Sequence, residues 1–380
     1  MRILVLTMNI PFPPVGGGRM RTYQFVRALA AAHDVTLAGF SYGDTFLEAP
    51  DFPVNLVEVP WREPAAYAAM AGGDAGAIEL LESGPEPWFA SVLDSPAMEQ
   101  ELDRLDLEQF DVVLVEETDM ARFLGALPAS LPVVLDLHNV YSANADDART
   151  AVFEQSAVSR ARLCLVCSEV DARRARRLLA AEHVHVVENG VDMSFFAPTK
   201  VEPVPRSLVF TGTMDYMPNV EAVRWFAEAV LPAIRTELPD VRLDVVGANP
   251  AEEVLALASD SVFVHGRVPD VRPYFGRAEQ VVVPLRSGGG TRLKVLEAAA
   301  SGKAIVSTSI GCEGLTFVPG RDLVVADGVE DIVQSVVALS RDLPRRDELG
   351  ANARQHAQRY EWERIGARLR SVVEGVVALV

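Results

Sequence analysis

The sequence predicts an α/β protein with two domains, each built on a parallel β-sheet that has helices on both faces. Short runs of Val, Leu and Ile alternate with longer amphipathic stretches along the chain, a pattern typical of such sheets. A proline-rich segment at 197–206 interrupts this alternation and predicts a linker. At 380 residues the chain is also too long for one ordinary hydrophobic core. We therefore expect one domain on each side of the linker.

The first half of the chain contains seven short apolar runs that we predict to be strands. They lie near residues 3–8, 35–40, 54–59, 112–115, 133–137, 163–167 and 184–187. Amphipathic stretches between them, such as 19–32 and 169–181, predict helices. The segment 62–110 is acidic and rich in Ala, and it predicts only helices and loops. We place the first domain at residues 1–196.

A second alternating series begins after the linker, and we place the second domain at residues 207–360. Its predicted strands lie near 207–211, 243–246, 262–264, 280–284, 304–308 and 323–325. The last stretch, 361–380, has apolar residues at helical spacing from Trp362 onward and predicts an amphipathic helix.

Charge and composition exclude several classes of function. The net charge of −18 disfavours broad electrostatic binding to nucleic acid or to an anionic membrane. No apolar run approaches the ~20 residues of a transmembrane segment, and the run at 3–8 resembles a buried strand rather than part of a signal peptide. Three cysteines fit a reducing compartment, so the expected location is the cytoplasm.

A glycine-rich turn follows the first predicted strand. Gly16, Gly17 and Gly18 permit close approach of a ligand to the backbone, and the following helix offers free N–H groups for an anion. Arg19 and Arg21 favour this interpretation slightly. A tight corner without a ligand is the alternative.

A second glycine-rich turn gives a stronger indication of a phosphate site. Gly288, Gly289 and Gly290 follow a predicted strand, and Thr291 is positioned to cap a helix that runs to Ser301. The first turn of that helix carries Arg292 and Lys294. Cations there oppose the helix dipole by about 0.3–1 kcal/mol each, an unfavourable arrangement that a bound anion reverses.

Glu297 lies on the same predicted helix, roughly 7–8 Å along its axis from Arg292. The diphosphate of a nucleotide and its ribose hydroxyls are about as far apart. A carboxylate can accept hydrogen bonds from those hydroxyls. The alternative is a structural pair of Lys294 and Glu297 at spacing i, i+3.

Together these motifs resemble glycosyltransferase family 4, the retaining group 1 transferases of the GT-B fold. The order of the matching segments is more specific than any one of them. They are Gly16–Gly17, Asp136-Leu-His138-Asn139, Asn189-Gly-Val-Asp192, Phe210-Thr-Gly212, the glycine turn leading into 293–306, and Tyr360-Glu-Trp362.

The resemblance implies two Rossmann-like domains that face each other across a cleft, with the helix at 361–380 crossing back to the first domain. It implies a nucleotide-diphosphate sugar held mainly by the second domain, with Glu297 at the ribose and Gly288–Thr291 at the phosphates and sugar. It also implies that His138 lies near the donor hexose; a strand-end histidine that bonds to backbone is the alternative.

The acceptor implied by the resemblance is a hydroxyl compound held mainly by the first domain: a carbohydrate, a lipid-linked acceptor or a small metabolite. The resemblance implies no metal, and the chain has no Asp-x-Asp sequence to hold a nucleotide-bound divalent ion. No cofactor is expected, since the nucleotide-sugar is a co-substrate. Glu116-Glu117, after a predicted strand, is interpreted mainly as a solvated turn and alternatively as an acceptor contact.

The chain departs from the family pattern at two places. Gly289 stands where the first Glu of the usual Glu-x7-Glu would be, which puts the donor sugar in doubt. The usual Arg and Lys after the first strand of the second domain are replaced by a segment that includes Thr213, Met214 and Pro218-Asn219. Arg292 and Lys294 are the candidates to compensate.

Two other functions fit the same architecture. One is a nucleotide-sugar epimerase or hydrolase, which needs no acceptor. The other is a non-catalytic protein that binds sugars or nucleotides, although most such binders are exported.

Overall fold

A computed structural model describes residues 1–14, 16–42, 49–62, 84, 86–143, 147–290 and 292–378. The chain divides into two compact units, Met1–Glu188 with Glu363–Val380 and Asn189–Trp362. Among the described helices, none combines the length and apolar character needed to cross a bilayer.

The first unit is built on a parallel sheet whose described part has seven strands in the order β3-β2-β1-β4-β5-β6-β7. The strands are β1 Arg2–Thr7, β2 Asp34–Tyr42, β3 Asn55–Trp61, β4 Val112–Glu116, β5 Val133–Leu137, β6 Leu163–Val166 and β7 Val184–Val186. The central strands β4, β5 and β6 are buried at every residue, as strands covered on both faces must be.

Helices lie between these strands, and the last helix of the chain belongs mainly to the same unit. The described α-helices are α1 Gly17–Ala30, α2 Trp88–Ser91, α3 Pro96–Arg104, α4 Ala148–Arg160 and α5 Glu169–Leu179. Three 3₁₀ segments span Leu107–Gln109, Thr118–Ala126 and Tyr141–Ala143. Ser95 and Ser168 cap α3 and α5, each by accepting a backbone N–H, as the sequence chemistry of helix starts favours.

The second unit has a parallel sheet of six described strands in the order β10-β9-β8-β11-β12-β13. The strands are β8 Ser207–Thr211, β9 Arg242–Val246, β10 Val262–Gly266, β11 Gln280–Val283, β12 Ala304–Ser307 and β13 Val324–Val325. In both sheets the first strand in sequence has neighbours on both sides, so the loop after it lies at the middle of the carboxyl edge.

The helices of the second unit begin with α6 Met217–Trp225, which continues through a π-helical turn at Phe226–Val230 into α7 Leu231–Glu237. The others are α8 Glu252–Leu255, α9 Arg272–Arg277, α10 Leu293–Ala300, α11 Val329–Arg341 and α12 Leu343–Ala357, with 3₁₀ segments at Ile310–Cys312 and Gln358–Tyr360. The final helix, α13, spans Trp362–Ala378.

Two segments that carry the family resemblance contact each other in the second unit. The N–H of Val191 donates to the carbonyl of Tyr360 at 2.8 Å. A side chain at Gly190 would overlap the ring of Trp362, since a Cβ there would lie 2.6 Å from its Cδ2. The glycine of the Asn-Gly-Val-Asp segment is therefore required by close packing on the start of α13.

The predicted strands of both halves are confirmed, as are the helices predicted at 19–32, 169–181 and the end of the chain. The predicted start of α10 is wrong. This helix begins at Leu293, and its cap position is occupied by Arg292 without a side-chain capping bond. Thr291, the predicted cap, lies outside the described residues.

Candidate functional site

The loops after β1, β4 and β5 bring a set of charged side chains together at the carboxyl edge of the first sheet. Glu116 and Asp136 are paired in register at the ends of β4 and β5. His138 follows β5 by one residue. We call the set formed by Arg21, Glu116, Glu117, Asp136 and His138 the His138 cluster.

Both ring nitrogens of His138 contact carboxylates. Nε2 lies 3.0 Å from Oε2 of Glu116 and 3.3 Å from Oδ2 of Asp136, while Nδ1 lies 3.2 Å from Oε1 of Glu117. Burial disfavours the charged imidazole, but the hydrogen bonds to the three carboxylates outweigh it and hold the pKa of His138 well above 6.5. The raised pKa and the carboxylate at each ring nitrogen favour an imidazolium that donates from both nitrogens over a neutral base.

Arg21 compensates the buried negative charge of the cluster. Its Nε and Nη2 donate to the two oxygens of Asp136 at 2.7 and 2.8 Å, and both residues are essentially inaccessible to solvent. Burial opposes ionisation of Asp136, yet the charge and hydrogen bonds of Arg21 lower the pKa of that carboxyl. The pKa of Glu116 is raised, first by burial and then by the charge of Asp136.

The first glycine turn lies directly against this cluster. Gly16 has φ +91°, a left-handed conformation that favours glycine, and Gly17 is the first residue of α1. A Cβ at Gly18 would lie only 2.9 Å from Oε1 of Glu117 and 3.6 Å from Nδ1 of His138. Gly18, which sequence reasoning did not single out from its neighbours, is the glycine that the cluster requires.

The cluster does not fit a divalent metal ion. Ligand atoms of Glu116, Asp136 and His138 do lie within 4.8 Å of one another. Arg21 already occupies both oxygens of Asp136, and each ring nitrogen of His138 contacts a carboxylate, so the set offers a metal few free ligand atoms. We therefore assign these residues to a buried network of ion pairs.

The second glycine turn follows β11 and precedes α10 in the second unit. Gly288 and Gly290 have φ of +107° and +73°. A Cβ at Gly288 would approach Pro218 to 3.1 Å, so the turn also packs against the start of α6. The turn is held by backbone conformations that only glycine adopts easily.

Arg292 fastens this turn. Its guanidinium donates to the carbonyl oxygens of Gly288 at 2.7 Å and Ile310 at 3.1 Å, and also to that of Gly289. The side chain is 5% exposed. These contacts are with the backbone that surrounds the predicted phosphate site, and a phosphate contact of Arg292 stays a prediction.

Lys294 lies in the first turn of α10 and reaches the end of β8 and the start of α6. Its Nζ donates to Oδ1 of Asn219 at 2.6 Å and lies 4.0 Å from the centre of the Phe210 ring. A Cβ at Gly212 would come within 2.9 Å of Nζ, so glycine makes room for the ammonium. Lys294 thus carries positive charge to the loop in which the usual Arg and Lys are absent.

Glu297 is one turn further along α10, and neither it nor Lys294 forms an ion pair in the part of the chain that the structure describes. The two charges still interact at longer range, since the charge of each residue shifts the pKa of the other. Burial lowers the pKa of Lys294 to about 7 and raises that of Glu297 to about 7. We call Asn219, Gly288–Gly290, Lys294 and Glu297 the Lys294 site.

A cavity of about 810 Å³ lies in a different part of the first unit. Its lining includes Arg162, His183 and Leu163 at the amino ends of β6 and β7, and Ser371 of α13. Ligands of open parallel sheets bind at the carboxyl ends of the strands. The cavity is therefore separate from the two candidate sites.

Two family models together cover most of the chain. The model of glycosyl transferases group 1 matches residues 205–342, and the model of glycosyltransferase family 4 matches residues 15–195. Each of the two units described above thus corresponds largely to one model.

Curated relatives match over part of their length. The chain is 27% identical over 208 residues to a D-inositol 3-phosphate glycosyltransferase of Arthrobacter sp., covering 49% of this chain and 48% of that protein. It is 31% identical over 162 residues to a GDP-mannose-dependent phosphatidylinositol monomannoside mannosyltransferase of Mycolicibacterium smegmatis, covering 38% and 42%. The chain thus spans about half the length of the curated relatives it matches.

Solved structures match over the whole chain at low identity. Sucrose-phosphate synthase from Thermosynechococcus elongatus superposes with a TM-score of 0.76 at 15% identity, covering 100% of both chains. The Anabaena protein HepE in complex with UDP-glucose superposes with a TM-score of 0.68 at 14% identity, covering 99% of this chain and 100% of that one. These likenesses establish the fold.

Proposed function

The chain belongs to the group 1 glycosyltransferases and has the GT-B fold, and we propose that it moves a hexose from a nucleotide-diphosphate donor to a hydroxyl acceptor with retention of configuration. The acceptor is a carbohydrate, a lipid-linked compound or a small metabolite. The reaction uses no metal and no cofactor besides the donor itself. The proposed location is the cytoplasm, which suits the low and odd count of three cysteines.

One observation carries the proposal: Lys294 and Glu297 are both largely desolvated, and neither makes an ion-pair contact within the described residues. Their mutual attraction offsets the effect of burial on their pKa values only in part. Burying an uncompensated charge is unfavourable unless a ligand completes the site. A diphosphate supplies the missing negative charge at Lys294, and ribose hydroxyls supply donors for Glu297.

The position of Lys294 supports a diphosphate in particular. The group leaves with increased negative charge, and cations held in a desolvated site stabilise that charge most effectively. Asn219 and the glycine turn fix the ammonium and the adjacent backbone before a ligand arrives. Arg292 contributes by holding the turn rather than by a contact of its own.

The donor proposed for the first assay is UDP-glucose. HepE was solved with UDP-glucose, and another relative uses GDP-mannose, so both bases belong in a screen. Gly289 removes a carboxylate that would otherwise contact the hexose in this family. We therefore include deoxy-sugar donors as well.

The function is tested by incubating the purified chain with nucleotide-sugars labelled in the sugar, with and without a mixture of hydroxyl acceptors. The proposal requires that label moves to an acceptor and that free nucleoside diphosphate is released. Epimerisation or release of free sugar without any acceptor product favours the epimerase or hydrolase. Tight binding without turnover favours a non-catalytic binder.

A further inference from the structure

We propose that Glu117 is the side chain of the His138 cluster that touches the acceptor, and that its carboxylate accepts a hydrogen bond from the hydroxyl that receives the sugar. His138 is then a positioning residue that holds Glu117. This inference rests on the proposed transferase function and assigns the residue that orients its second substrate.

His138 has no ring nitrogen left for a substrate. Nε2 is shared between Glu116 and Asp136, and Nδ1 points to Glu117. A substrate hydroxyl would have to displace one of these charge-assisted bonds, which are the strong ones in a buried network. The ring therefore acts on a substrate through its partners.

The three carboxylates that contact His138 differ in their exposure to solvent. The side chains of Glu116 and Asp136 are 0% exposed, whereas that of Glu117 is 16% exposed. Asp136 is also paired with Arg21, and one oxygen of Glu116 accepts from the hydroxyl of Thr22 at 3.1 Å. Glu117 is thus the carboxylate of this set that a substrate can reach.

The backbone at Glu117 is strained. Its φ is +70°, a left-handed conformation that is unfavourable for a residue with a side chain. Such strain persists where the surrounding structure determines it, and it is concentrated at functional sites. Here the strained turn ends β4 and aims the carboxylate at Nδ1 of His138.

The glycine at position 18 makes space for the Glu117 carboxylate. The missing side chain at Gly18 leaves room for Oε1 of Glu117, which a Cβ would crowd at 2.9 Å. A glycine turn and a strained turn from separate parts of the chain therefore combine to place one carboxylate.

Both residues that flank Glu117 have a buried polar atom without a hydrogen-bond partner among the described residues. Oε1 of Glu116 and Oγ1 of Thr118 are buried and have no hydrogen bond within the described residues, and the two residues are 0% and 1% exposed. Buried polar atoms are rarely left unpaired. Such atoms call for a particular role of the segment that carries them, which agrees with a functional turn at Glu117.

Other charged groups face this position and belong to its environment. Asp119 lies nearby, and its pKa is raised to about 7 by burial and then by the charge of Glu117. The hydroxyl of Tyr141 donates to Asp119 at 3.1 Å. Arg21 lies behind the cluster on Asp136, so its charge is largely compensated.

The test uses the full chain with UDP-glucose as donor and three acceptors: myo-inositol, N-acetylglucosamine and water. Glu117→Gln keeps the shape of the side chain and removes its charge. We expect turnover of the donor to fall by about 100-fold, the size of effect typical of a group that acts on a reacting hydroxyl. The dissociation constant of UDP-glucose, measured by calorimetry, should stay within about twofold.

Gly18→Ala provides an independent variant, because its methyl displaces the Glu117 carboxylate without changing any polar group. It should lower turnover in the same direction as Glu117→Gln. The matched control is Gly375→Ala in α13, where an added Cβ meets nothing within 4 Å. It should turn over UDP-glucose at the wild-type rate.

The positioning role of His138 is tested by a double-mutant cycle. His138→Asn should lower kcat, and the double variant with Glu117→Gln should be no slower than Glu117→Gln alone, because the two residues act as a unit. Additive losses would show that His138 contacts substrate directly and would overturn its assigned role.

Two outcomes separate this inference from the proposed function. A wild-type chain that turns over UDP-glucose while Glu117→Gln does so at the same rate overturns the role of Glu117 alone. A parallel loss of donor affinity in Glu117→Gln does the same, because it makes Glu117 a donor contact. A wild-type chain that binds UDP-glucose and leaves it intact with every acceptor overturns the transferase function itself.

Discussion

The His138 cluster and the Lys294 site both place charge at the carboxyl edge of a parallel sheet, yet the charge is neutralised in different ways. In the His138 cluster the buried cations have carboxylate partners, with Arg21 on Asp136 and His138 between three carboxylates. In the Lys294 site the ammonium has a neutral amide and an aromatic ring beside it. The cations of the first network thus have ionic partners without a ligand, whereas Lys294 makes no ion-pair contact within the described residues.

This difference separates two ways to build a site. A network of paired buried charges holds its groups in fixed positions, and removal of one partner lowers stability first. A site with an uncompensated charge is costly in the free protein, and its loss appears first as weaker ligand binding. Substitutions in the His138 cluster should therefore lower mainly the stability of the protein, and substitutions in the Lys294 site should lower mainly its affinity for the ligand.

The largest effect is expected for Arg21→Met. It leaves the carboxylate of Asp136 buried without its partner, which costs about 3–5 kcal/mol of unfolding free energy. Chemical denaturation measures this loss. The control is Arg19→Met, which removes a half-buried neighbour whose partner is the neutral Asn9. Equal stability of the two variants would show that the buried pair contributes little.

The second prediction concerns Lys294→Met. Affinity for a nucleotide-diphosphate sugar should fall by about 2–3 kcal/mol, the range for hydrogen bonds to charged groups. The free protein should be as stable as the wild type or more so, because a desolvated charge has been removed. Calorimetry and thermal unfolding measure the two quantities, and Lys200→Met in the linker serves as the control. A destabilised variant with unchanged affinity would reverse the comparison.

A smaller and mixed effect is expected for Arg292→Ala. Three carbonyl oxygens lose their donor, which should lower the unfolding free energy by about 1–3 kcal/mol. The glycine turn then loosens, so affinity for the diphosphate sugar should fall more than affinity for the free nucleoside. Equal losses for the two ligands would contradict a turn that contacts phosphate.

The smallest effect is a pH dependence of nucleotide binding with its maximum near pH 7. Above about pH 7 Lys294 loses its proton and with it the attraction for phosphate, because burial has lowered its pKa to about 7. Below about pH 7 Glu297 becomes protonated, because burial has raised its pKa to about 7, and it accepts less well from ribose hydroxyls. Affinity should change by about tenfold per pH unit well outside this range.

Glu297→Gln is the matched variant for this titration. It should abolish the decline on the acid side and leave the decline on the alkaline side, which belongs to Lys294. The pH dependence of the free protein's stability tests independently whether the pKa of Lys294 is lowered. The folded pKa of Lys294 is below its unfolded value of 10.5, so its contribution to stability should rise with pH between about 7 and 10.5. An affinity that does not vary between pH 5 and 9 would remove both residues from the site.

The strands and the two-domain organisation followed from the sequence because they depend on short-range patterns. The run at 112–115 is apolar and lies between Asp111 and Glu116, and a short run of this kind is typical of a strand covered on both faces. The glycine turn at 288–290 was also identifiable, since backbone with positive φ favours glycine.

The interior of the His138 cluster was not predictable in the same way. Glu116-Glu117 was interpreted mainly as a solvated turn, whereas Glu116 is fully buried. Arg21 was considered for an anion, whereas it pairs with Asp136, 115 positions away. Arg292 was placed in the first turn of α10, whereas it precedes the helix and binds carbonyls that include Ile310.

The sequence by itself determined which segments become strands and helices, where glycine permits a turn, and to which family the chain belongs. These features arise from local conformational preference and from the periodicity of apolar residues. The tertiary structure decided which charges are paired and which are left for a ligand. That choice depends on strand order, which brings separate loops to one edge, and on burial, which makes the identity of each neighbour decisive.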